Sequence, residues 1–514
     1  MNGAESVVHA AASVGLDICF ANPGTTEVHI LGGMNAEPRI RPVLGLFEGV
    51  CTGAADGFAR MAERPAMTLL HLGPGLANGI ANLHNARKAE VPVVNVIGTH
   101  ATRHMNHESM LSSNVPALAQ AVSIFVRETR VPEDAAADLV DARNAAIEQR
   151  GVATLILPTD VQWSEVPEHP RRSAQLWKPT FDAERIEEAA TRLKAAAARG
   201  ALMIGGAGLH EAGLRAAGRV QAATGCRLFC KRQPTRIESG PEIPVIERLG
   251  YFPDESAAQL ASITDIVLVG TEEPVSIFAY RDGRTHVLPH ESRVHPVARV
   301  GDDVVGALEG LADCLGGPDS AADVHQPVRP PVGTREQRLS ERLAAIMPDR
   351  AIFVDEAITS APDVFEHAMG RTRFTYLGLT GGSIGIAGPL AVGAAVAEPD
   401  RPVVAVVGDG SALYTLQALW TQAREGLNVT TVVCANNRYR ILGVEQARAG
   451  IEENTGRVDA LMDLSLPTID WLRLAAGFGV PATRARDLEG LRTQFAGSLS
   501  EAGPHLIQLD VDEI

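Results

Sequence analysis

The sequence lacks three features that would restrict where the protein works. It has no apolar run long enough to cross a membrane, and its first residues lack the basic and apolar regions of a secretory signal. Positive charge is in deficit, because the formal net charge is -16. We therefore expect a cytoplasmic protein that binds neither nucleic acid nor an anionic membrane.

Cysteine is scarce, and its spacing does not form a zinc site. Two of the residues fall in GCRLFCKR, a pattern that favours a strand. We expect every cysteine to be a buried, reduced thiol, as is usual in the cytoplasm. The six are Cys19, Cys51, Cys226, Cys230, Cys314 and Cys434.

The chain is too long for one hydrophobic core, since it has 514 residues. Strand and helix patterns alternate in three blocks, at residues 1–165, 185–315 and 335–514. Segments rich in proline, at 163–184 and 316–334, read as linkers between them. Alternation of this kind predicts an α/β fold with three doubly wound parallel-sheet domains.

One stretch of the third block is typical of an anion and metal site. An apolar run ends in Gly408-Asp409-Gly410, and a second ends in Asn436-Asn437. Asp409 and Asn436 are 27 positions apart, so a crossover helix between parallel strands would bring both to one sheet edge. A helix beginning after the first run favours a diphosphate, and the two oxygen donors suit Mg²⁺. The alternative for Asp409 is an ordinary helix N-cap.

An internal repeat relates the first block to the third at an offset of 337 residues. Arg64-Pro65 overlays Arg401-Pro402, and Gly73 overlays Gly410. Ala86-Arg87 likewise overlays residues 423–424, with apolar strands flanking both copies. Chance similarity in an alanine-rich chain is the alternative. The coincident boundaries favour two domains of one topology around a middle domain.

Together these motifs resemble the thiamine-diphosphate-dependent family of acetolactate synthase, benzoylformate decarboxylase and pyruvate decarboxylase. The family pattern of GDG followed by NN is matched, and GDG alone would be a weak signal. Further matches are NPGTTE (22–27), FEG (47–49), HLGPGLANG (71–79) and TGGSIGIAGP (380–389). The resemblance covers nearly the whole chain. It implies that the three domains are pyrimidine-binding, middle and diphosphate-binding, in that order.

The resemblance implies a ligand set for the cofactor, thiamine diphosphate, and for Mg²⁺. The metal would be held by Asp409, the Asn436 side chain and the Arg438 carbonyl. Glu48 would bond the pyrimidine ring and promote loss of the C2 proton; burial after an apolar strand would raise its pKa. The alternative for Glu48 is a carboxylate at a helix N-terminus. The other residues implied in cofactor binding are Pro23, Gly24, Asn78, Gly382, Ile384, Gly408, Gly410, Ser411, Ala412 and Tyr439.

Within the cofactor set, Gly382 and Ile384 have defined places. The Gly382 carbonyl would accept from the pyrimidine amino group. Ile384 stands where the family has a bulky apolar residue, commonly Met or Leu, beneath the bent cofactor. An ordinary core isoleucine is the alternative.

The substrate side depends on fewer matches. His71 corresponds to a histidine near the substrate in benzoylformate decarboxylases, with a structural histidine as the alternative. Thr25 corresponds to a small hydroxyl residue beside the substrate carboxylate, and Met110 and Leu111 to apolar pocket positions. A further cluster of histidines, His100, His104 and His107, reads either as a loop over the site or as a solvated loop.

Glu445 lies after the NN motif, where related decarboxylases often have an aromatic residue. It would donate a proton or select a polar substrate, or else face solvent as a helix residue. The segment PVSIFAYRDG (274–283) lacks the second histidine of benzoylformate decarboxylases, which argues against simple aromatic decarboxylation. The middle block lacks a clean GxGxxG around Gly205, and FCKRQPTRIESGPEIP matches flavin-binding relatives poorly, so FAD is not expected.

The function that follows is decarboxylation of a small 2-keto acid, carboligation, or both, in the manner of an acetolactate synthase. A benzoylformate-decarboxylase-like enzyme is the alternative. A non-catalytic regulatory homologue and an unrelated phosphate-binding protein are the rivals from other classes. By the resemblance, Glu48 and Asp409 serve one site from two subunits, so a homodimer is obligatory and a homotetramer is the expected assembly.

Overall fold

The computed structural model describes residues 1–167, 178–281, 285–318, 329–451 and 457–513. The chain folds into two compact units. The first comprises Met1–Trp177, Leu379–Cys434 and Asp470–Asp510, and the second comprises Lys178–Gly378, Ala435–Ile469 and Val511–Ile514.

Helices and strands alternate along all three blocks of the sequence. The first block contains α1 (Gly3–Ser13), β1 (Ile18–Asn22), α2 (Val28–Ala36), β2 (Arg41–Leu44), α3 (Glu48–Ala62), β3 (Ala66–His71), α4 (Leu72–Lys88), β4 (Val93–Thr99), α5 (Val115–Gln120), β5 (Phe125–Glu128), α6 (Ala135–Glu148), β6 (Val152–Pro158) and α7 (Thr159–Trp163). The second contains α8 (Ala183–Ala196), β7 (Gly200–Ile204), α9 (Glu211–Thr224), β8 (Arg227–Cys230), β9 (Ile237–Ser239), β10 (Glu247–Arg248), α10 (Pro253–Leu260), β11 (Asp265–Val269), β12 (Arg293–Ala298) and α11 (Val304–Cys314). The third contains α12 (Arg335–Ile346), β13 (Ala351–Glu356), α13 (Val364–Ala368), β14 (Phe374–Gly378), α14 (Ala387–Ala397), β15 (Val403–Gly408), α15 (Asp409–Ala412), α16 (Ala418–Glu425), β16 (Val429–Ala435), α17 (Arg440–Arg448), α18 (Trp471–Gly477), β17 (Ala482–Ala485), α19 (Leu488–Ser500) and β18 (His505–Asp510).

The first unit contains a parallel sheet of six strands in the order β2-β1-β3-β4-β6-β5. Strands β4 and β6 are buried at every position, because helices cover both faces of a parallel sheet. The carboxyl ends of β1, β3 and β4 place Asn22, His71 and Thr99 at one edge of this sheet.

The internal repeat is visible in the structure of this unit. At the offset of 337 residues, β3-α4-β4 overlays β15-α15-α16-β16, and α3 overlays α14. The copies differ in one respect: α4 is continuous, whereas its counterpart is interrupted by a 3₁₀ turn at Leu413–Thr415. The strands of the third block in this unit lie side by side in the order β17-β18-β16-β15, in a sheet separate from the six-stranded one.

The second unit contains a parallel sheet of five strands in the order β10-β8-β7-β11-β12. Its strand β13 is parallel to β14, and β9 pairs with the other side of β14 in the antiparallel direction. The segment FCKRQPTRIESGPEIP, which matched flavin-binding relatives poorly, therefore supplies an extra strand to β14.

Two sequence expectations concern burial and linkers. The expectation that all six cysteines are buried is wrong for Cys314, which is exposed at the end of α11; the other five are buried free thiols. Of the linkers, residues 168–177 and 319–328 lie outside the described residues. No helix within the described ranges is both long and apolar enough to span a membrane.

Candidate active site

Glu48 is the first residue of α3 and lies at the amino end of that helix. Its Oε2 accepts a hydrogen bond of 3.0 Å from the Asn78 amide. A Cβ added to Gly75 would lie 3.3 Å from Glu48 Oε1, so the first turn of α4 approaches the carboxylate closely. Glu48 is half-buried in the chain rather than fully buried as its position after an apolar run suggested. Glu48 and Asn78, both predicted cofactor ligands, are thus brought together.

His71 ends β3 and contacts a carboxylate that carried no predicted role. Its Nδ1 lies 2.9 Å from Oε2 of Glu27 and 3.0 Å from Oγ1 of Thr26. Thr26 donates to Glu27 Oε1 at 2.6 Å. Burial raises the pKa of Glu27, against the opposing effect of hydrogen bonds from Thr26, the Gly24 N–H and His71. The sequence signal for Glu27 was the NPGTTE match, in which roles were predicted only for Pro23, Gly24 and Thr25.

Gly24 is required by the close approach of His71. An added Cβ would lie 2.4 Å from the imidazole Cγ. The Gly24 N–H donates to Glu27 Oε2 at 2.7 Å. Pro23 precedes it and is half-buried, while Thr25 is exposed and begins a 3₁₀ turn. The NPGTTE segment therefore packs against the His71 ring and restricts its orientation.

The loop that carries Gly382 and Ile384 is held by α4. The buried Asn85 donates to the Ser383 carbonyl at 2.8 Å and accepts from the Ser383 N–H at 3.1 Å. His84 Nε2 lies 3.1 Å from the Gly381 carbonyl oxygen. Gly382 has φ +79°, a conformation that favours glycine, and a Cβ there would meet nothing within 4 Å. Ile384 is half-buried.

Asn82 links this loop to the helix of Glu48. Its side-chain amide donates to the Gly49 carbonyl at 2.8 Å and lies 3.5 Å from the Gly385 carbonyl. Thr415 donates to the same Gly385 oxygen at 2.8 Å. The first turn of α3 and the loop before α14 therefore approach each other within the first unit. Asn82 and Asn85 were not predicted, because asparagines inside a helix pattern give no distinctive signal.

The GDG motif lies at the end of β15. Gly408 is paired with Cys434 of β16, and Asp409 begins the short helix α15. Asp409 is 2% exposed and its Oδ1 accepts from the Gly410 N–H at 2.8 Å. Ser411 is buried, and Ala412 ends α15. The Asp409 carboxylate thus lies at the carboxyl end of β15.

The NN segment belongs to the second unit. The Asn436 side-chain oxygen accepts from the Arg438 N–H at 3.1 Å. The Arg438 guanidinium pairs with Asp459 at 2.6 Å, and the Tyr439 N–H donates to the Met462 carbonyl at 2.8 Å. The turn after β16 is therefore fixed by backbone and side-chain contacts to residues 459–463.

Glu445 lies on α17 of the second unit. It contacts Tyr280, which belongs to the segment that lacks the second histidine of benzoylformate decarboxylases. The Tyr280 hydroxyl donates to Glu445 Oε1 at 3.2 Å. Burial, followed by the negative charge of Glu445, raises the pKa of Tyr280 to about 12. The Arg448 guanidinium lies 4.0 Å from the Phe252 ring centroid and 5.6 Å from that of Tyr280. Glu445 is half-buried, and its aromatic partner was not predicted, because a tyrosine in an irregular segment gives no distinctive signal.

The histidines after β4 form a contiguous row. The rings of His100 and His104 have centroids 5.3 Å apart, and those of His104 and His107 are 5.8 Å apart. Met110 is 87% exposed. Leu111 lines a cavity of about 180 Å³, together with Leu72, Thr99, His100, Val115 and Ile156.

The predicted Mg²⁺ ligands are divided between the two units, with Asp409 in the first and Asn436 and Arg438 in the second. Within the described ranges, no group of three or more histidine, cysteine, aspartate or glutamate residues is arranged to hold a metal. The predicted ligands have a different composition, since they combine one carboxylate, one amide oxygen and one main-chain carbonyl. Mg²⁺ accepts such a set with few carboxylates when phosphate oxygens and water complete the octahedron.

Both ends of the chain match domains of one enzyme family. Residues 1–118 match the N-terminal TPP binding domain of thiamine pyrophosphate enzymes, and residues 363–509 match the C-terminal TPP binding domain. A Mycobacterium tuberculosis protein with the provisional name acetolactate synthase large subunit IlvX is 42% identical over 100% of both chains. Benzoylformate decarboxylase of Pseudomonas aeruginosa is 27% identical over 97% of each.

A solved structure shares the fold. The thiamine diphosphate-dependent 4-hydroxybenzoylformate decarboxylase of Rhodococcus jostii RHA1 has a TM-score of 0.83 and 24% identity, with 100% of each chain covered. This likeness and the two matched TPP binding domains confirm the predicted fold class of three parallel-sheet α/β domains. The chain therefore belongs to the family of thiamine-diphosphate-dependent enzymes related to acetolactate synthase and benzoylformate decarboxylase.

Proposed function

We propose that the protein decarboxylates a small 2-keto acid, joins its product to a second carbonyl compound, or does both, using thiamine diphosphate and Mg²⁺. The observation that carries the proposal is the position of Glu48 at the start of α3, hydrogen-bonded to Asn78 and beside the first turn of α4. A carboxylate at this position, together with the Asn82 link to the loop of Gly382 and Ile384, supports a pyrimidine-binding role.

The predicted site residues would have separate roles in binding the cofactor, the metal and the substrate. Glu48 and the Gly382 carbonyl would hold the pyrimidine, and Ile384 would support it. Asp409, Asn436 and the Arg438 carbonyl would hold Mg²⁺, with Ser411 at the diphosphate. When bound, the cofactor supplies carbanion chemistry at its thiazolium carbon. His71 would exchange a proton with the substrate, and Thr25 would lie beside the substrate carboxylate.

Two observations bear on the choice of substrate. His71 favours a benzoylformate-decarboxylase-like enzyme, the second candidate. Tyr280 and Glu445 favour a different substrate, because this segment lacks the second histidine of that group and carries a phenol hydrogen-bonded to a carboxylate. We place acetolactate-synthase-like chemistry first for this reason. Met110 and Leu111 remain the proposed apolar side of the substrate pocket.

The proposal extends to assembly and location. The minimal unit is a homodimer, and a homotetramer is the expected assembly. The site uses Glu48 of one subunit and Asp409 of the other. The enzyme is cytoplasmic and binds no FAD, so the purified protein is expected to show no flavin absorbance. A regulatory homologue without activity remains the rival, and turnover of any 2-keto acid would exclude it.

Glu48→Gln tests the assigned function. The variant should bind thiamine diphosphate normally by calorimetry, whereas exchange of the cofactor's C2 proton should slow by at least about 100-fold, the scale of general acid–base catalysis. Glu63→Gln is the matched control, because Glu63 is exposed at the other end of α3. Wild-type exchange in Glu48→Gln would overturn the role of Glu48.

The metal and the substrate need separate measurements. Binding of the cofactor should require Mg²⁺ and should be lost in Asp409→Ala; metal-independent binding would contradict the ligand set.

A panel of 2-keto acids, with and without aldehyde acceptors, followed by CO₂ release and product analysis, would identify the reaction. If the protein does not bind thiamine diphosphate at all, the proposed function is wrong.

A further inference from the structure

Glu27 is a buried carboxylate beside the proposed substrate site. Its side chain is 0% exposed. It lies over β4, because a Cβ added to Gly98 would be 2.0 Å from Glu27 Oε1. The carboxylate therefore occupies the carboxyl edge of the six-stranded sheet, where sheets of this kind bind ligands. A charged group in such a place costs free energy unless it is fully hydrogen-bonded, so its contacts indicate what it does.

The hydrogen bonds of Glu27 determine where the proton of His71 lies. Oε2 accepts from the Gly24 N–H at 2.7 Å, and Oε1 accepts from the Thr26 hydroxyl at 2.6 Å. The hydroxyl proton of Thr26 is thereby committed to Glu27. His71 Nδ1 faces two oxygens, Glu27 Oε2 at 2.9 Å and Thr26 Oγ1 at 3.0 Å. Both are acceptors toward the ring, so Nδ1 carries a hydrogen.

The ring of His71 is also fixed in orientation. Gly24 contacts it so closely that an added Cβ would lie 2.4 Å from Cγ. Its side chain retains 20% exposure, whereas Glu27 has none. With Nδ1 bound on the buried side, Nε2 is the ring nitrogen left for an external partner. This is the arrangement in which a carboxylate sets the tautomer of a histidine.

We propose that Glu27 is a positioning residue that holds His71 with its hydrogen on Nδ1, so that Nε2 exchanges the proton with the substrate. The inference rests on the proposed function. In the step, Nε2 of the imidazolium gives its proton to a substrate atom and the ring becomes the neutral Nδ1–H form. Glu27 remains a carboxylate throughout and is the counter-charge of the imidazolium. No other co-reactant is needed.

Histidine nitrogen NMR on the holoenzyme tests the tautomer directly. The protein would be labelled with ¹⁵N-histidine, and the His71 signals identified by their loss in His71→Asn. We expect an Nδ1-protonated ring in the wild type. In Glu27→Leu no carboxylate remains, and the released Thr26 hydroxyl can donate to Nδ1, so the hydrogen should move to Nε2. An Nε2–H ring in the wild type, or an unchanged spectrum in Glu27→Leu, would overturn the proposal.

Kinetics separate positioning from a merely structural role. Glu27→Gln should lower kcat by about 10–100-fold, by analogy with the carboxylate partners of metal-bound histidines, with cofactor affinity unchanged. Thr26→Val is the matched control: it keeps the volume and the Glu27–His71 pair, so it should retain the wild-type tautomer and lose less activity. Equal losses in both variants would contradict the role of Glu27.

The two readouts distinguish this inference from the proposed function. If no 2-keto acid is turned over but the tautomer changes in Glu27→Leu, Glu27 positions His71 and the assigned reaction is wrong. If Glu27→Leu does not fold, the wild-type spectrum and Thr26→Val still decide, because an Nδ1–H ring is required in both.

Discussion

Gly393 of α14 lies against the backbone of Ala54 in α3: a Cβ added to Gly393 would be 1.9 Å from the Ala54 carbonyl oxygen. The contact is nearly reciprocal, because a Cβ added to Gly57 would be 2.2 Å from the Leu390 carbonyl oxygen. These helices overlay each other in the internal repeat, so the two copies pack through corresponding surfaces. The packing fixes Glu48, at the start of α3, relative to the loop that precedes α14.

Gly393→Ala should therefore destabilise the enzyme and impair cofactor binding together. The obstacle is backbone, which cannot rotate away as a side chain can, so we expect a loss of about 1–3 kcal/mol or more in the free energy of unfolding. Urea denaturation and calorimetry with the cofactor would measure the two effects.

The matched control for this change is Gly497→Ala in α19, where an added Cβ meets nothing within 4 Å. Alanine is the better helix former by roughly 1 kcal/mol, so this variant should be neutral or stabilised. Similar denaturation midpoints for the two variants would show that α3 and α14 are not in close contact.

Helix α3 also contains a buried ion pair. The guanidinium of Arg60 donates to both oxygens of Asp56 at 2.7 Å, and both side chains are 0% exposed. Arg60→Met leaves a buried carboxylate without this partner and should cost about 3–5 kcal/mol in unfolding free energy. Asp56→Leu combined with Arg60→Met should recover most of that loss, since no buried charge remains.

A double-mutant cycle by urea denaturation checks this expectation. Arg473→Ala is the control, because its pair with Asp470 is exposed (90% and 53%) and such pairs contribute little. If the Arg60 variant were as mild as the control, the pair would not be buried in solution.

Much of the fold was predictable, because it depends on patterns that repeat. Apolar runs of strand length, ended by Gly or Asn, recur at a fixed offset, and the structure has strands at those places. The GDG turn at Asp409 follows from the same periodicity. Backbone contact between α3 and α14 was not predictable, since small residues in a helix have many uses.

The supports of the site were harder to predict than its motifs. In the sequence, Glu27 is indistinguishable from an ordinary polar loop residue, because only the folded chain brings His71 against it. Asn85 is hydrogen-bonded to Ser383, almost 300 residues away in the sequence. A local sequence pattern cannot predict such a distant partner. Cys314 was wrongly expected to be buried, because an apolar helix says little about the exposure of its last residue.

The bond between Tyr280 and Glu445 predicts a pH effect. The pKa of Tyr280 is raised to about 12 by burial first and by the Glu445 charge second. The phenol should therefore stay protonated until well above pH 10, the ordinary value for tyrosine. In Glu445→Gln the negative charge is gone, so the phenol should ionise at lower pH than in the wild type.

Ultraviolet difference absorbance would follow this titration, with Tyr280→Phe used to subtract the other four of the five tyrosines. Tyr280→Phe should also change the relative kcat/KM for different 2-keto acids more than it changes cofactor affinity. Coincident titrations in the wild type and Glu445→Gln would rule out the contact.

The proposal of a site shared between two subunits predicts complementation. Differently tagged Glu48→Gln and Asp409→Ala chains would be produced together and the mixed dimer purified through both tags. If Glu48 of one subunit works with Asp409 of the other, one of the two sites keeps both native residues, so activity should reach about half of the wild-type value. Each variant alone should be inactive.

The reciprocal mixture reverses the outcome and serves as the control. A chain with both changes, paired with a wild-type chain, has one altered residue in each shared site and should be inactive. If each site instead used Glu48 and Asp409 of the same chain, this second dimer would be half active and the first would be inactive. The pair of measurements therefore decides which chain completes the site, because the two arrangements give opposite results in both mixtures.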